Sequence, residues 1–422
     1  MAEKTKKNPQ TICVIGLGYI GLPTALLLSR DYDVFGFDIN PVIVEKINKK
    51  VIPFDEPEME ELLNSSDIQA STHPQHSDIF LICVPTPFDK EIKMADLTFV
   101  IKALEAIVPI LKEGNLVIIE STITPGTCEK IAVPIIEKSG FKIGTDIYLV
   151  HCPERAIPGR TIHEMVNNDR IIGGINKESA KLAEQVYRSF VKGRLFLTTI
   201  RTAEFVKLME NTYRDVNIAL ANEFAILSEE MGINVWEAIR MANKHPRVNI
   251  LSPGPGVGGH CIAVDPWFLT ESSVNATLIT TAREINDNMP SYVFSRVKRI
   301  IVKESLKKPT ITIFGVAYKG DIGDVRETPA LKFIRLCERE NWEIKIFDPH
   351  VTIFPYPLLD LNRATEGSDC IVILTDHSYF KNIDPAILLM RHKNIFDTRN
   401  IIEKNLWQKA GFNVTIIGSG DE

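Results

Sequence analysis

A cysteine framed by glycines is the residue with the clearest chemical potential in this sequence. Cys261 ends the segment SPGPGVGGHC, in which four glycines and two prolines precede it. This composition favours a shaped loop, and glycines let another group approach the backbone closely. A thiolate is a better nucleophile than a hydroxyl near neutral pH, and it forms thioesters. The segment predicts a reactive thiol, and the alternative is a buried structural cysteine, as we assign to Cys13 and Cys83. His260 is a candidate to lower the thiol pKa, although sequence neighbours often point apart.

Three polar residues of a predicted helix are candidates to act with this thiol. Lys207, Asn211 and Arg214 are spaced i, i+4 and i+7, so they share one helix face. Such a stripe is often solvated. Here, however, Ala, Leu, Ile and Phe on the other sides predict a buried helix, in which a lysine is uncommon and therefore a candidate functional residue. Asp265 follows Cys261 by four residues and is either a turn residue or an acid that acts with it.

A glycine motif near the start predicts a dinucleotide site. The G-x-G-x-x-G segment Gly16–Gly21 lies between the predicted strand TICVI and a predicted helix, where glycines permit a tight turn against a pyrophosphate. Asp38 ends the next predicted strand, where a carboxylate binds ribose hydroxyls and repels a 2′-phosphate. The motif therefore favours NAD over NADP, although the glycines could serve turns and packing alone. Thr86 and Thr122 follow two further strands, at ligand-binding or simple turn positions.

The elements that must position these residues indicate an α/β fold. Strand-like runs alternate with helical patterns in two series, one before Val150 and one after Pro309, which predicts two Rossmann-like domains with parallel sheets. A long central helix and a helical region join them, with Thr202 as its expected N-cap and Gly232 as its expected stop. We assign residues 1–200 to the NAD-binding domain, 201–306 to the central helical and dimerisation domain, and 307–422 to the second Rossmann-like domain.

Composition limits the classes of partner. The chain has 422 residues, 45% of them hydrophobic, and a net charge of −6 without basic clusters, so we expect neither nucleic-acid nor membrane binding. Seven cysteines without a C-x-x-C pair favour a reducing, cytoplasmic location. We expect small-molecule partners and no metal site.

Seven segments together resemble the UDP-glucose/GDP-mannose dehydrogenase family along nearly the whole chain: GLGYIGLP, VPTP, EST, CPER, EFVKLMEN, PGPGVGGHCIAVDPWF and VAYKGDIGDVRETPA. The resemblance implies an NAD-dependent, four-electron oxidation of a UDP-sugar at C6 to a carboxylate, through a cysteine thioester, in a homodimer or higher homo-oligomer. The segments TYRDVNIALANE and GINVWEAIRMANKHPRVNI resemble the members that oxidise UDP-N-acetyl-D-mannosamine for surface polysaccharides. UDP-N-acetylglucosamine and UDP-glucose are the alternative substrates.

The resemblance also implies roles for individual residues. Cys261 would be the nucleophile and Lys207 the general acid/base or oxyanion partner, while Asn211 and Asp265 would hold the reacting oxygen and water. Glu154 would serve thioester hydrolysis, and Thr122 would contact water and cofactor. The implied cofactor positions are Gly16, Gly18, Tyr19, Ile20, Gly21, Asp38, Thr86, Thr122 and Arg326. The implied substrate positions are Arg155, Ala156, Lys207, Asn211, Arg214, His245, Arg247, Gly258, Tyr318 and Lys319, whose cations suit a diphosphate.

The sequence departs from the family pattern at two positions, and two other functions are alternatives to the one that the resemblance implies. No arginine follows Asp38 in DINPVIVEKI, so a cofactor contact found in many relatives is not expected here, and Gly323 replaces an acid that relatives often carry. A two-electron 2-hydroxyacid or 3-hydroxyacid dehydrogenase would leave Cys261 and the C-terminal domain unexplained. A non-catalytic Rossmann nucleotide-sensing protein would bind NAD without releasing NADH, and the intact catalytic set argues against it.

Overall fold

The computed structural model describes residues 10–54, 56, 58–89, 93–157, 159–271, 273 and 275–420. They form two compact units. The first comprises the described residues up to Glu210 together with those of Trp267–Ser273, and the second comprises Asn211–Pro266 and the described residues of Val274–Glu422.

The first unit is built on an eight-stranded sheet in the order β10-β9-β8-β7-β4-β1-β2-β3. All neighbouring strands run parallel except β8 and β9, which are antiparallel. The strands are β1 Thr11–Ile15, β2 Asp33–Phe37, β3 Gln69–Ser71, β4 Ile79–Ile82, β7 Leu116–Ile119, β8 Tyr148–His151, β9 Arg170–Gly174 and β10 Leu195–Thr199, and β5 Phe88–Asp89 and β6 Met94–Ala95 form a separate hairpin.

Helices cover both faces of this sheet, because its central strands are apolar throughout. Along β1, Ile12 and Val14 belong to one hydrophobic cluster and Cys13 and Ile15 to another, as strand alternation requires. The helices are α1 Gly21–Leu28, α2 Pro41–Asn48, α3 Met59–Ser65, α4 Thr98–Ile107, α5 Val133–Ile136, α6 Thr161–Asn167 and α7 Lys177–Tyr187.

The second unit contains a parallel five-stranded sheet in the order β12-β11-β13-β14-β15. Its strands are β11 Thr310–Phe314, β12 Glu343–Phe347, β13 Cys370–Ile373, β14 Asn394–Asp397 and β15 Asn413–Ile416. The remaining helices of the chain are α8 Ile200–Met231, which is continuous across the boundary of the two units, α9 Val235–Ala242, α10 Asp265–Thr270, α11 Thr277–Lys303, α12 Pro329–Arg339, α13 Leu361–Thr365 and α14 Lys404–Lys409.

The long central helix confirms one expected end and corrects the other. It stops before Gly232, whose φ of +67° suits a glycine after a helix. It starts at Ile200, however, so Thr202 lies inside it, and the Thr199 hydroxyl accepts the Thr202 N–H at 3.3 Å as the cap. The expected burial of its apolar sides is also wrong in part, because several large apolar residues of α8 are exposed.

Candidate active site

The glycine loop after β1 forms an open cradle. Gly16 has a φ of +88° and donates its N–H to Phe37 O at 2.8 Å. A Cβ on Gly21 would lie 1.8 Å from Gly16 O, so this side of the loop is closed by backbone packing. A Cβ on Gly18 would meet nothing within 4 Å. The loop therefore leaves room at Gly18 for a pyrophosphate beside the start of α1.

The acid after β2 supports this cradle. Asp38 is half-buried and accepts the N–H groups of Leu17 and Asn40, both at 2.8 Å, on its two carboxylate oxygens. Each oxygen keeps a second lone pair, so the carboxylate can still accept ribose hydroxyls. Thr86 lies after β4, which neighbours β1 on the side opposite β2. Ligands of open sheets bind at such a switch point, so the loop, Asp38 and the strand ends fit NAD.

Three further expected cofactor positions are Tyr19 and Ile20 within this loop and Thr122 after β7. The Tyr19 ring is partly exposed and stacks on Phe54 with centroids 4.2 Å apart. Ile20 precedes the first residue of α1, and Thr122 is half-buried in the loop after β7. Their contacts with a cofactor remain predictions.

The first part of α8 is anchored in the first unit. The Glu204 carboxylate accepts the N–H groups of Gly126 at 2.5 Å and Cys128 at 2.9 Å, in the segment after β7. One turn later, Lys207 is buried, as predicted, with 8% of its surface exposed. Burial lowers the pKa of His151 to about 3, and the charge of Lys207 adds to this effect. Lys207 therefore has a neutral imidazole in its electrostatic surroundings.

The loop after β8 carries two charged site candidates, Glu154 and Arg155, and hydrogen bonds and ion pairs hold both side chains in place. Glu154 Oε1 accepts the N–H groups of Arg155 at 2.6 Å and Ala156 at 2.8 Å. The Arg155 guanidinium forms a two-bond ion pair with Glu210, at 3.0 and 2.9 Å, and donates to Asp169 O at 2.8 Å. The substrate roles of Arg155 and Ala156 are therefore compatible with a shaped loop and remain predictions.

In the second unit, the structure brings Asn211 and Asp265 together next to the Cys261 turn. Asn211 Nδ2 donates to Asp265 Oδ2 at 2.5 Å, and both residues are buried. The N–H groups of Val264 and Asp265 donate to Cys261 O at 3.0 and 2.8 Å, so this turn fixes the half-buried cysteine relative to Asp265. The structure thus brings Asn211 and Asp265 together beside the Cys261 turn, and their joint catalytic role remains a prediction.

The glycines before Cys261 allow close packing against the segment after β11. A Cβ on Gly258 would lie 2.7 Å from Tyr318 Cβ, and one on Gly259 would lie 2.9 Å from Tyr318 Cε2. Gly259 also donates its N–H to Arg326 O at 2.9 Å, while the Arg326 guanidinium pairs with Asp324 at 3.0 Å. Tyr318 and Arg326 therefore pack against the loop that contains Gly258.

The remaining expected substrate residues present exposed polar or charged groups in the second unit. Lys319 follows β11 at the switch point of the smaller sheet, where β11 lies between β12 and β13. The loop that carries His245 and Arg247 is closed by Asn243, which bonds Ile250 through both amide atoms at 2.9 and 2.7 Å. Arg214 is exposed on α8. Binding of a diphosphate by these residues remains a prediction.

Sequence reasoning missed two side-chain clusters, one buried and one with two exposed members. In the first unit Arg170 pairs with Glu154 and Glu120, which no local motif indicated. In the second unit, one group of described residues has metal-ligand types, namely Asp321, His350 and His377. The His377 ring, however, accepts the Asp321 N–H at 2.9 Å and contacts Asp348 Oδ2 at 3.1 Å. Both ring nitrogens thus serve internal hydrogen bonds.

An open glycine cradle and an acid at a switch point define a dinucleotide-binding fold. Sequence comparison defines it further. The chain matches the NAD-binding, central and UDP-binding domains of the UDP-glucose/GDP-mannose dehydrogenase family over residues 10–191, 201–288 and 312–404. The protein belongs to this family and is an NAD-dependent UDP-sugar dehydrogenase.

Individual relatives cover almost the whole chain. A UDP-N-acetyl-D-mannosamine dehydrogenase from Methanococcus maripaludis is 51% identical over 97% of both chains. An NDP-N-acetyl-D-galactosaminuronic acid dehydrogenase from Ralstonia solanacearum is 44% identical over 93% of this chain and 96% of its own. The structure of a UDP-D-ManNAc dehydrogenase from Pyrococcus horikoshii superposes with a TM-score of 0.91, at 44% identity, over 98% of this chain and 100% of its own.

Among the described residues, no helix combines the length and apolar character needed to cross a membrane.

Proposed function

We propose that this protein oxidises UDP-N-acetyl-D-mannosamine at C6 to the uronate, consuming two NAD and one water, for surface polysaccharide synthesis. The observation that carries the proposal is the glycine-framed Cys261 beside the buried Asn211–Asp265 pair. A two-electron alcohol dehydrogenase needs no such thiol, whereas a four-electron oxidation must hold an aldehyde for its second step. The relatives from Methanococcus and Pyrococcus support the choice of sugar.

The proposed chemistry divides among the residues as follows. NAD, when bound, supplies the hydride acceptor for both oxidations. Lys207 and Asn211 stabilise the alkoxide that develops on the reacting oxygen, because preorganised donors act where charge appears in the transition state. The Cys261 thiolate adds to the aldehyde and then carries the thioester. Glu154 and Asp265 orient the water that releases the carboxylate.

Substrate choice is the part of the proposal that a direct comparison tests. We expect kcat/KM to be highest for UDP-N-acetyl-D-mannosamine in a set with UDP-N-acetylglucosamine, UDP-N-acetyl-D-galactosamine, UDP-glucose and GDP-mannose. A preference for another UDP-sugar would overturn the sugar assignment and leave the dehydrogenase activity standing. Failure to form NADH with every sugar would contradict the proposed catalytic function itself.

We also propose that the protein forms a homodimer through α8. Within the second unit this helix exposes five large apolar residues at spacings of seven, four, three and four, which place them on one stripe: Tyr213, Leu220, Phe224, Leu227 and Met231. Their exposed fractions range from 36% to 65%. A contiguous apolar stripe of this kind is typical of an association surface, and a second copy offers a matching one.

The expected cytoplasmic location also remains a proposal. No disulfide joins the described cysteines, which suits a reducing compartment.

A further inference from the structure

The antiparallel strand of the first sheet brings a basic residue to the edge where the other strands end. Because β9 runs opposite to β8, its first residue, Arg170, lies at the carboxyl end of β8. The register pairs His151 with Gly173, and continuing it by three residues places Glu154 opposite Arg170. The position of Arg170 is therefore set by strand pairing, not by a flexible surface loop.

Arg170 is a buried cation between two carboxylates. Its side chain is 4% exposed, one terminal nitrogen contacts Glu154 Oε2, and the other lies 3.5 Å from Glu120 Oε1. The guanidinium also lies over the Tyr187 ring, with Cζ 4.7 Å from the ring centroid. Burial opposes the charge of Arg170, but Glu154 raises its pKa above the usual value, so the residue stays cationic.

Glu120 has other partners and does not depend on Arg170 alone. Its Oε1 accepts the Tyr187 hydroxyl at 2.6 Å, and its Oε2 accepts the Cys83 thiol at 3.2 Å and the Thr24 hydroxyl at 3.3 Å. Glu154, by contrast, has the two N–H groups of its own loop on one oxygen and Arg170 on the other. Arg170 is thus the cation that fixes the direction of the Glu154 carboxylate.

We propose that Arg170 is a positioning residue for thioester hydrolysis, which fixes the orientation of the Glu154 carboxylate. This inference rests on the proposed function, in which Cys261 carries the thioester. In the step, the water oxygen forms a bond to the acyl carbon while the C–S bond breaks. Glu154 takes one proton from the water and returns it to the departing Cys261 thiolate, and the acid product releases the second proton to solvent. No electrons are transferred in this step.

A double-mutant cycle tests the inference on the acyl-enzyme itself. The full-length protein is mixed with excess NAD and substoichiometric UDP-N-acetyl-D-mannosamine and quenched in acid at successive times. Intact mass then gives the fraction of chains that carry the acyl group on Cys261. Its first-order decay is measured for the parent, Arg170→Lys, Glu154→Gln and the double variant. Because only molecules that completed both oxidations are counted, a smaller folded fraction does not change the decay constant.

We expect Arg170→Lys to slow the decay on the order of 100-fold, since misplacement of a catalytic group by about 1 Å has that effect. In the Glu154→Gln background the same change should alter the decay less than about twofold, because groups that act through each other are not additive. Formation of the acyl-enzyme should slow much less than its decay. The control is Arg194→Lys, which changes an exposed arginine paired with Asp169, and it should leave the decay unchanged.

Three results would overturn the inference. The first is that Arg170→Lys slows acyl-enzyme decay by the same factor in the parent and in Glu154→Gln. The second is that it slows formation and decay of the acyl-enzyme equally. The third is that the Arg170→Lys variant forms no acyl-enzyme. Failure of the proposed function looks different, because the parent itself would then carry no acyl group on Cys261. If Glu154→Gln alone leaves the decay unchanged, the role of Glu154 fails, and the inference about Arg170 fails with it.

Discussion

The glycines of the dinucleotide loop should respond to alanine in opposite ways. Gly18 and Gly21 lie three residues apart in one motif, yet an added Cβ meets nothing within 4 Å at Gly18 and lies 1.8 Å from Gly16 O at Gly21. Neither residue has a φ in the left-handed region, so alanine is compatible with the backbone of each. The two substitutions therefore separate ligand approach from loop packing.

The expected magnitudes follow from this geometry. At Gly21 two backbone segments must separate by more than 1 Å to reach ordinary contact. We therefore expect alanine there to lower the free energy of unfolding by about 3 kcal/mol, near the upper end of the range for overpacked substitutions. At Gly18 alanine should instead stabilise the free protein by about 0.4–1 kcal/mol, because it restricts the unfolded chain. Its methyl group occupies the approach of the pyrophosphate, and losing one charged hydrogen bond of about 1.5–3 kcal/mol raises the Kd for NAD roughly 10- to 100-fold.

Thermal unfolding without ligand and NAD titration by fluorescence measure the two effects separately. Gly18→Ala should keep or raise Tm and weaken NAD binding, whereas Gly21→Ala should lower Tm by roughly 10 °C, given about 2–4 °C per kcal/mol for a domain of this size. Normal NAD affinity in Gly18→Ala would refute the assignment of the open side of the loop to the pyrophosphate. Parent-like stability of Gly21→Ala would refute the packing described for it.

Three further changes test other parts of the account. Asp265→Ala should lower the free energy of unfolding by about 1–3 kcal/mol, because the buried Asn211 amide loses its partner. It should also lower kcat at least ~100-fold, and an unchanged kcat would exclude a catalytic role for Asp265. Burial raises the pKa of Asp348, but His377 and backbone N–H groups outweigh it and hold this pKa below 3.8. The resulting stability is present above pH 3.8 and is lost as pH falls through the folded-state value, so Asp348→Asn should be less stable at pH 7 and show a shallower acid transition in circular dichroism; an identical pH profile would contradict this. Leu220→Glu should produce monomers in light scattering, whereas Ile353→Glu, at an exposed site outside α8, should not; a dimeric Leu220→Glu protein would move the interface elsewhere.

Sequence reasoning recovered the features that depend on local chemistry. One strand-turn-helix pattern predicted the glycine loop and the position of Asp38, whereas the reactivity of Cys261, inferred from the loop before it, stays a prediction. The i, i+4 spacing on α8 placed Lys207 and Asn211 on one face, and both are buried. Each of these predictions needed only neighbouring residues.

The missed features depend on distant pairing or on competition between neighbours. Strand β9 was not predicted, and its antiparallel pairing with β8 decides the meeting of Arg170 and Glu154. Thr199, not Thr202, caps the N-terminus of α8, because nearby threonines compete for the same N–H groups. Strand pairing between distant segments decided the first case, and local competition for N–H groups decided the second.

The number of NADH molecules released per UDP-N-acetyl-D-mannosamine tests the central claim most directly. With limiting sugar and excess NAD, the parent protein should release two NADH and convert all of the sugar to the uronate. Cys261→Ser should stop after partial oxidation, because a hydroxyl cannot hold and release the acyl group as a thiolate does. A yield of one NADH in the parent, or full turnover to uronate in Cys261→Ser, would contradict the thioester account.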